Sequence, residues 1–246
     1  MVDVGCGTGG NFAPLVGDYE LVGIDTSPDA IRLAQTRFPQ VEFLVGSAPR
    51  DLGARAGRAD LVLLTDVLEH VADDFLLLSQ LLAAAKPGAW LLITVPAQPQ
   101  LWSEHDESHL HYRRYDVPRL ERTWQDLPVT PALVTYFNAR LYPLIRAVRT
   151  WTRWRGRASG EAQTDLWLPP AVVNRTLTRL FAGESRRLTR WLEHPPARTY
   201  RRGLSLLAVL RREAGPIEPR SRPADVAPDR FDPYAHTQGG DALSLE

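Results

Sequence analysis

Three short stretches hold most of the residue types able to do chemistry in this 246-residue chain. The first, residues 1–10, reads MVDVGCGTGG. A glycine-punctuated turn directly after an apolar run lets backbone free of Cβ atoms approach a nucleotide-bearing ligand. Asp25, closing the next apolar run, offers a carboxylate to ribose hydroxyls. The second stretch, TDVLEHV at 65–71, spaces Asp66, Glu69 and His70 at i, i+3 and i+4, one face of a helical turn. Two carboxylates and an imidazole so placed can hold Mg²⁺ or Mn²⁺ and lower the pKa of a bound hydroxyl. The alternative is that Glu69 and His70 only cap and orient the helix that follows. The third, WSEHDESHLHYRRY at 102–115, gathers His105, His109 and His111 around Asp106, with Arg113 and Arg114 beside them. A histidine held by a carboxylate is the expected general base for a hydroxyl, which makes His105, Asp106 and His111 the candidate catalytic residues. The competing reading is a solvated loop whose residues pair with each other. If a cation binds at the second stretch, His105 or His111 can supply a further ligand.

These stretches need strands and helices to hold them. The first half of the chain alternates short β-type runs with helical patterns, which predicts parallel βαβ units. Strands are expected at 2–4, 20–24, 41–45, 60–65 and 89–95. Ser27 caps a helix with Pro28 in its first turn, and Asp73 and Asp74 open another whose apolar face uses Phe75, Leu78 and Leu82. Residues 116–126 read as a further helix. Two more strands, 129–136 and 203–211, enclose an Arg- and Trp-rich block expected to be helical around 139–155, 170–182 and 184–194. The tail from Glu213 has five prolines and no apolar periodicity, which predicts disorder over 213–246. The expected organisation is a core of 1–138 and 203–212, a basic helical insert or lid at 139–202, and the tail.

The glycines satisfy two fingerprints, G-x-G-x-x-G through Gly10 and D-x-G-x-G-x-G through Asp3, and Asp25 serves either. The segments that follow separate the two. GIDTSPDAIRLAQ, DVLEHV and KPGAWLLITVP come in an order and spacing that resemble the class I S-adenosylmethionine methyltransferases of the ubiquinone-pathway O-methyltransferase type, over roughly residues 1–138. A short-chain dehydrogenase would need a Tyr-x-x-x-Lys pair, and the single lysine, Lys86, has Leu82 four residues before it. The resemblance implies an α/β, Rossmann-like fold: a seven-stranded, mostly parallel sheet with helices on both faces, a helical insert, and an antiparallel strand near the carboxyl end. It implies S-adenosyl-L-methionine as cofactor, with Asp3, Gly5, Cys6, Gly7 and Gly9 near its methionine part and Asp25 on its ribose. Thr26 would lie beside the adenine, and Ser47, Ala48 and Asp66 complete the implied cofactor set. One departure is Gly46-Ser47-Ala48, where many relatives have Gly-Asp-Ala and a carboxylate accepts from the adenine amino group. In ubiquinone-pathway and small-RNA ribose methyltransferases, a similar acid-x-x-Glu-His run holds a divalent metal. A similar Glu-His-Asp-Glu run before His-Arg-Arg-Arg-Tyr is matched at His105, Asp106, His111, Arg114 and Tyr115, and Tyr112 departs from it.

Composition narrows the remaining choices. With Cys6 alone no intrachain disulfide can form, and neither a signal peptide nor an eighteen-residue apolar run is present, so a cytoplasmic location is expected. The formal net charge is zero but unevenly laid out: 139–212 carries sixteen arginines against four acids. Within that block, ARLYPLIRAVRTWTRWRGR spaces Leu141, Leu144, Ile145, Val148 and Trp151 along one helical face and sets Arg146, Arg149 and Arg153 off it. That is an interfacial-helix composition, and it predicts peripheral contact with the inner membrane face through 139–157. The same charge could track RNA phosphates, and a lid packed on the domain is the third reading. The expected activity is O-methylation of a small-molecule or lipid-linked hydroxyl. The alternatives are an RNA ribose methyltransferase and a cofactor-binding, catalytically silent partner protein. Only Met1 and Val2 precede Asp3 in a strand that this fold places mid-sheet, so the reading frame is expected to extend upstream.

Overall fold

The computed structural model describes residues 1–154, 171–196, 199–227, 229 and 231–232. Seven strands form one sheet: β1 (Val2–Val4), β2 (Val22–Asp25), β3 (Glu42–Val45), β4 (Leu61–Thr65), β5 (Trp90–Pro96), β6 (Val129–Phe137) and β7 (Ser205–Arg212). Their order across the sheet is β3-β2-β1-β4-β5-β7-β6. The first five are parallel, as short apolar runs separated by helices require, and β7 runs antiparallel to both neighbours. Val2, Asp3 and Val4 pair with Val22, Gly23 and Ile24 on one side and with Val62, Leu63 and Leu64 on the other. Strand order reverses between β1 and β4, and a crevice opens at such a switch point beyond the carboxyl ends of the strands.

Local signals set the helices. α1 (Pro28–Arg37) starts where the Ser27 hydroxyl accepts from the Ala30 amide, and α2 (Ala54–Arg58) is a short connector. α3 (Asp74–Ala84) starts where the Asp73 carboxylate accepts from Leu76 N–H at 2.9 Å. α4 (Glu104–Ser108) is a single turn after β5, and α5 (Val117–Glu121) is capped by Asp116. α5 is shorter than the 116–126 expected, because the chain leaves the helix in successive turns to reach β6. Val4, Ile24, Leu64 and Ile93 pack with Leu78 and Leu82 of α3 in the main core. Phe12, Ile31, Ala34 and Phe43 form a second cluster around α1.

Between β6 and β7 lie α6 (Tyr142–Trp154) and α7 (Ala171–Glu193). The break expected between 182 and 184 is absent: α7 runs unbroken through Gly183, whose carbonyl accepts from the Arg140 guanidinium at 3.3 Å. One residue on, the buried Glu184 carboxylate accepts from the amides of Ala139 and Arg140 and ties α7 to the start of the insert. The carboxyl-terminal half of α7 lays Leu188 and Trp191 on Leu133, Leu207 and Val209 of the sheet. Expectations for 155–170 lie outside the described residues.

The tail requires a correction. Residues 213–227 and 229 do not hang free: Ile217 packs on the main core, Ser79 exchanges hydrogen bonds with the Arg220 backbone, and Arg122 pairs with Asp225. Arg222 N–H donates to Asp73, and Asp229 pairs with Arg113 and Arg222. These anchors are spaced irregularly along an extended, proline-bearing strap, so a search for apolar periodicity cannot see them. The expectation for 233–246 lies outside the described residues.

Candidate active site

A cavity of about 660 Å³ opens at the switch point. Gly5, Asp25, Thr26, Ser47, Ala48 and Asp66, all expected to bind cofactor, line it, as does His70. Gly5 sits at φ +68, where a Cβ would lie 2.8 Å from Val67 Cγ2, so the turn admits glycine alone. The Asp25 carboxylate is fixed at both oxygens, by Gly7 N–H and by Ser27 N–H, each at 2.8 Å. Each oxygen keeps a lone pair for a further donor.

Asp3, Cys6, Gly7 and Gly9 are not in the cavity wall. Asp3 is fully buried; Asn11 donates to its Oδ2 at 3.1 Å, and Oδ1 has no hydrogen-bond partner among the described residues. Burial, countered by the Asn11 bond and reinforced by the charge of Asp25, pushes its carboxyl up to about 6. Cys6 is buried too, and desolvation followed by the charges of Asp3 and Asp25 pushes its thiol up to about 12, which makes it inert packing. Ser47 meets the cavity, but its amide donates to Asp51 Oδ2 at 2.7 Å.

The metal expectation changes in membership. Residues Leu68–His70 form a 3-10 turn, so the α-helical face assumed for Asp66, Glu69 and His70 does not form. Asp66 adopts a left-handed backbone at φ 55 and its amide donates to the Thr94 carbonyl, which leaves its carboxylate at the cavity wall. Desolvation raises that carboxyl. Among the described residues the converging set is Glu69, His70 and His111, whose ligand atoms all lie within 4.8 Å of one another. Glu69 Oε2 is buried with no hydrogen-bond partner among the described residues. Burial and the charge of Asp66 push the Glu69 carboxyl well up, while burial and then His111 push the His70 imidazole down to about 4.

His111 reaches this cluster because the 96–115 loop folds back on the 66–72 loop, joined by Tyr112 N–H donating to the Glu69 carbonyl. Its Nδ1 lies 3.2 Å from Oδ1 of the fully buried Asp106, to which Arg114 Nε also donates at 2.7 Å. The Ser103 amide and hydroxyl hold the other oxygen. Burial alone would raise the Asp106 carboxyl, but these donors hold it far below the carboxylate range. With Nδ1 taken by Asp106, the Nε2 of His111 is the nitrogen left for other chemistry. His105 lies apart from this dyad: it belongs to α4 and its ring meets that of His109 at a tilt of 40°, with centroids 4.1 Å apart.

Sequence reasoning noticed Arg113 without giving it a role. Buried in the loop, it donates to the carbonyls of Leu68, Val71 and Ala72 and to Asp229, so one guanidinium clamps the turn that carries Glu69 and His70. Tyr115 and Arg119 support it from below through the buried Asp74.

The sheet order and the cleft define a class I S-adenosylmethionine-dependent methyltransferase fold. The chain belongs to the methyltransferase domain family, whose model matches residues 1–147. Trans-aconitate 2-methyltransferase of Azoarcus sp. is 32% identical over 158 residues, covering 61% of this chain and 58% of that protein. Ubiquinone biosynthesis O-methyltransferase of Methylobacterium sp. is 34% identical over 92 residues, 36% of this chain and 37% of that one. The chain thus spans little more than half of the first relative and about a third of the second. Among solved structures, the plantazolicin methyltransferase BamL, in complex with a triazolic desmethylPZN analog and SAH, superposes with a TM-score of 0.52 at 15% identity. That likeness covers 87% of this chain and 76% of BamL, and at this identity it speaks to the fold alone.

Proposed function

We propose that this chain transfers a methyl group from S-adenosyl-L-methionine to a hydroxyl of a small-molecule or lipid-linked acceptor. The observation that carries this reading is the Asp106-held His111, its ring centroid 4.6 Å from that of His70, which lines the same cavity as Asp25 and Gly5.

The cavity chemistry fits the cofactor. Asp25, pre-oriented by two amides, is set to accept from two ribose hydroxyls, and the orphaned buried Oδ1 of Asp3 is an acceptor awaiting a donor. Bound there, the cofactor supplies a sulfonium-activated methyl group. The chain's own contribution is then position and proton removal. Asp106 holds the His111 ring in one orientation, with Nε2 as the nitrogen left to take the acceptor proton. Arg113 fixes the turn on which His70 and Glu69 face the same space.

A second reading is favoured by the convergence of Glu69, His70 and His111. A neutral imidazole, an unpartnered carboxylate oxygen and a carboxylate-supported histidine make a donor set suited to Mg²⁺ or Mn²⁺, with Asp106 as the outer support. A cation held there would lower the pKa of the acceptor hydroxyl.

The test is incubation of the chain with deuteromethyl cofactor and cell extracts, read by untargeted mass spectrometry, with and without chelator. A product labelled on oxygen supports the proposal; labelling on nitrogen or carbon refutes the hydroxyl assignment. Cofactor binding without any labelled product points to a catalytically silent protein. Full turnover in excess chelator assigns the proton to His111 alone, and loss restored by Mg²⁺ or Mn²⁺ assigns the metal.

A further inference from the structure

The residues that face the acceptor side come from two loops, and a third segment reaches both. Glu69 and His70 sit on the 3-10 turn after β4, and His111 on the loop after β5. Because β7 is antiparallel to β5, the strap that follows β7 starts at the opposite end of the sheet from the cavity. From there it runs along α3 against the direction of the helix. Arg212 Nε donates to the Leu82 carbonyl, the Arg220 amide to the Ser79 hydroxyl and the Arg222 amide to Asp73, in that order. The strap so reaches the carboxyl ends of the parallel strands. There Arg222 donates to the Ala72 carbonyl, and the ring centroid of Phe231 lies 6.1 Å from that of Trp102.

Asp229 is the point at which the strap grips. The five N–H groups of the buried Arg113 are all engaged: Nη1 with the carbonyls of Leu68 and Val71 at 2.9 and 2.7 Å, Nη2 with the Ala72 carbonyl at 2.8 Å and Asp229 Oδ2 at 2.9 Å, and Nε with Asp229 Oδ1. A carboxylate paired with the Nε–Nη2 edge fixes the plane of a guanidinium, and the plane decides what the remaining N–H groups reach. Here they reach the three carbonyls that bracket Glu69 and His70. Asp74 cannot substitute: it lies 3.8 Å from Nη1, off that edge, and is held by Tyr115 and Arg119. Arg222 Nη2, 2.7 Å from Oδ2, pins Asp229 from the strap side.

We propose that Asp229 is a positioning residue for methyl transfer, fixing the plane of Arg113 so that the turn carrying Glu69 and His70 faces His111. The inference deepens the proposed function and rests on it for the reaction. Asp25 is held independently by the amides of Gly7 and Ser27, so the cofactor end of the cavity should not depend on the strap.

Two measurements on the full chain test it, and the first needs no acceptor. In Asp229→Ala the amides of His70 and Val71, bonded within the turn, should exchange with deuterium about tenfold faster while those of β4 keep the parent's rate. The second is turnover of the acceptor that the deuteromethyl assay labels, expressed per chain that binds S-adenosyl-L-methionine in a calorimetric titration, so that misfolded protein is not counted. Asp229→Ala should lower kcat about 10- to 100-fold and leave the cofactor KM within about twofold of the parent's. Asp229→Asn, which keeps one oxygen for Arg113, should show both effects to a smaller degree, and it carries the test should the alanine variant not fold. Asp225→Ala, which frees the strap from Arg122 but leaves Arg113 gripped, should keep the parent's kcat. Unchanged turn amides, an unchanged kcat in Asp229→Ala, or an equal loss in Asp225→Ala overturns the proposal. A parent chain that labels nothing fails the reading of its function instead, and the exchange rates of the turn then decide whether Asp229 holds it.

Discussion

Asp3→Asn should make the cofactor-free protein more stable at neutral pH. Asp3 is a buried carboxylate in the central strand with one donor, Asn11, and one oxygen without a partner. Burial, with Asn11 opposing and Asp25 adding, moves its carboxyl from an ordinary 3.8 up to about 6. Two pKa units correspond to about 3 kcal/mol against the ionised form. The sign follows from proton binding. Between about pH 4 and pH 6 the folded chain holds the Asp3 proton that the unfolded chain has already released, so stability falls as pH rises through this window and stays low above it. Asparagine can accept from Asn11 through its oxygen but leaves an amide group where Oδ1 now lies, an unsatisfied donor costing about 1 kcal/mol. The net gain at pH 8 is therefore about 2 kcal/mol, or about 4 to 8 °C in Tm for a chain of this size. Urea unfolding of parent and variant at pH 4.5 and pH 8 reads it directly. Other titrating groups such as Glu69 are common to both proteins and cancel in the difference. A variant less stable than its parent at pH 8, or a difference that does not change with pH, refutes the argument. If bound cofactor donates to Oδ1, the order should invert when cofactor is present, because the variant has given up that acceptor.

Asp25→Ala should weaken S-adenosylmethionine binding by about 2 kcal/mol, roughly thirtyfold, since ribose hydroxyls would be left unpaired; calorimetry showing equal affinity would remove Asp25 from the site. If Glu69, His70 and His111 hold a cation, paramagnetic resonance should show Mn²⁺ bound by the purified chain and lost in Glu69→Gln; an identical spectrum in the variant excludes that site. Arg113→Met should cost about 3 to 5 kcal/mol in chemical denaturation, because three carbonyls, Asp74 and Asp229 lose a shared buried donor. A loss under about 1 kcal/mol would mean that the clamp holds nothing. Asp229→Ala should cost less, about 1 to 2 kcal/mol, since the three carbonyls keep their donor, and a cost equal to that of Arg113→Met contradicts this division.

The parallel half of the sheet was legible because each of its strands is a short apolar run closed by a recognisable turn or cap, such as Gly5 after β1 and Ser27 after β2. The crevice wall was legible for the same reason: Gly5 and Asp25 sit at fixed offsets from strand ends and line it. The acceptor side was only half legible. DVLEHV suggested a helical face and the backbone made a 3-10 turn, which exchanged Asp66 for His111 in the converging set. No local rule predicts that exchange, because it depends on a loop some forty residues downstream folding back through Tyr112 and Arg113. The strap after Glu213 was missed because its contacts are made one side chain at a time, without a period.

The pairing of β6 with β7 runs to Phe137 and Ser205, so residues 138–204 leave the sheet and return to it at one point. Gly203 crosses the Phe137 carbonyl so closely that no Cβ fits between them. The two helices therefore leave from a hairpin mouth already closed by its own ladder, and α7 packs back on β6 and β7. Loop entropy grows only logarithmically with length, and exchanging this excursion for a five-residue turn would change the closure cost by about 2 kcal/mol. Seven-stranded register and a long appendage are thus nearly independent investments of the chain. An insertion or deletion between Asn138 and Leu204 shifts no strand against another, whereas one of the same size between β4 and β5 would have to rebuild α3 and the core beneath it. The mouth of the last hairpin is thus the place where chain length can change without touching the crevice at the switch point.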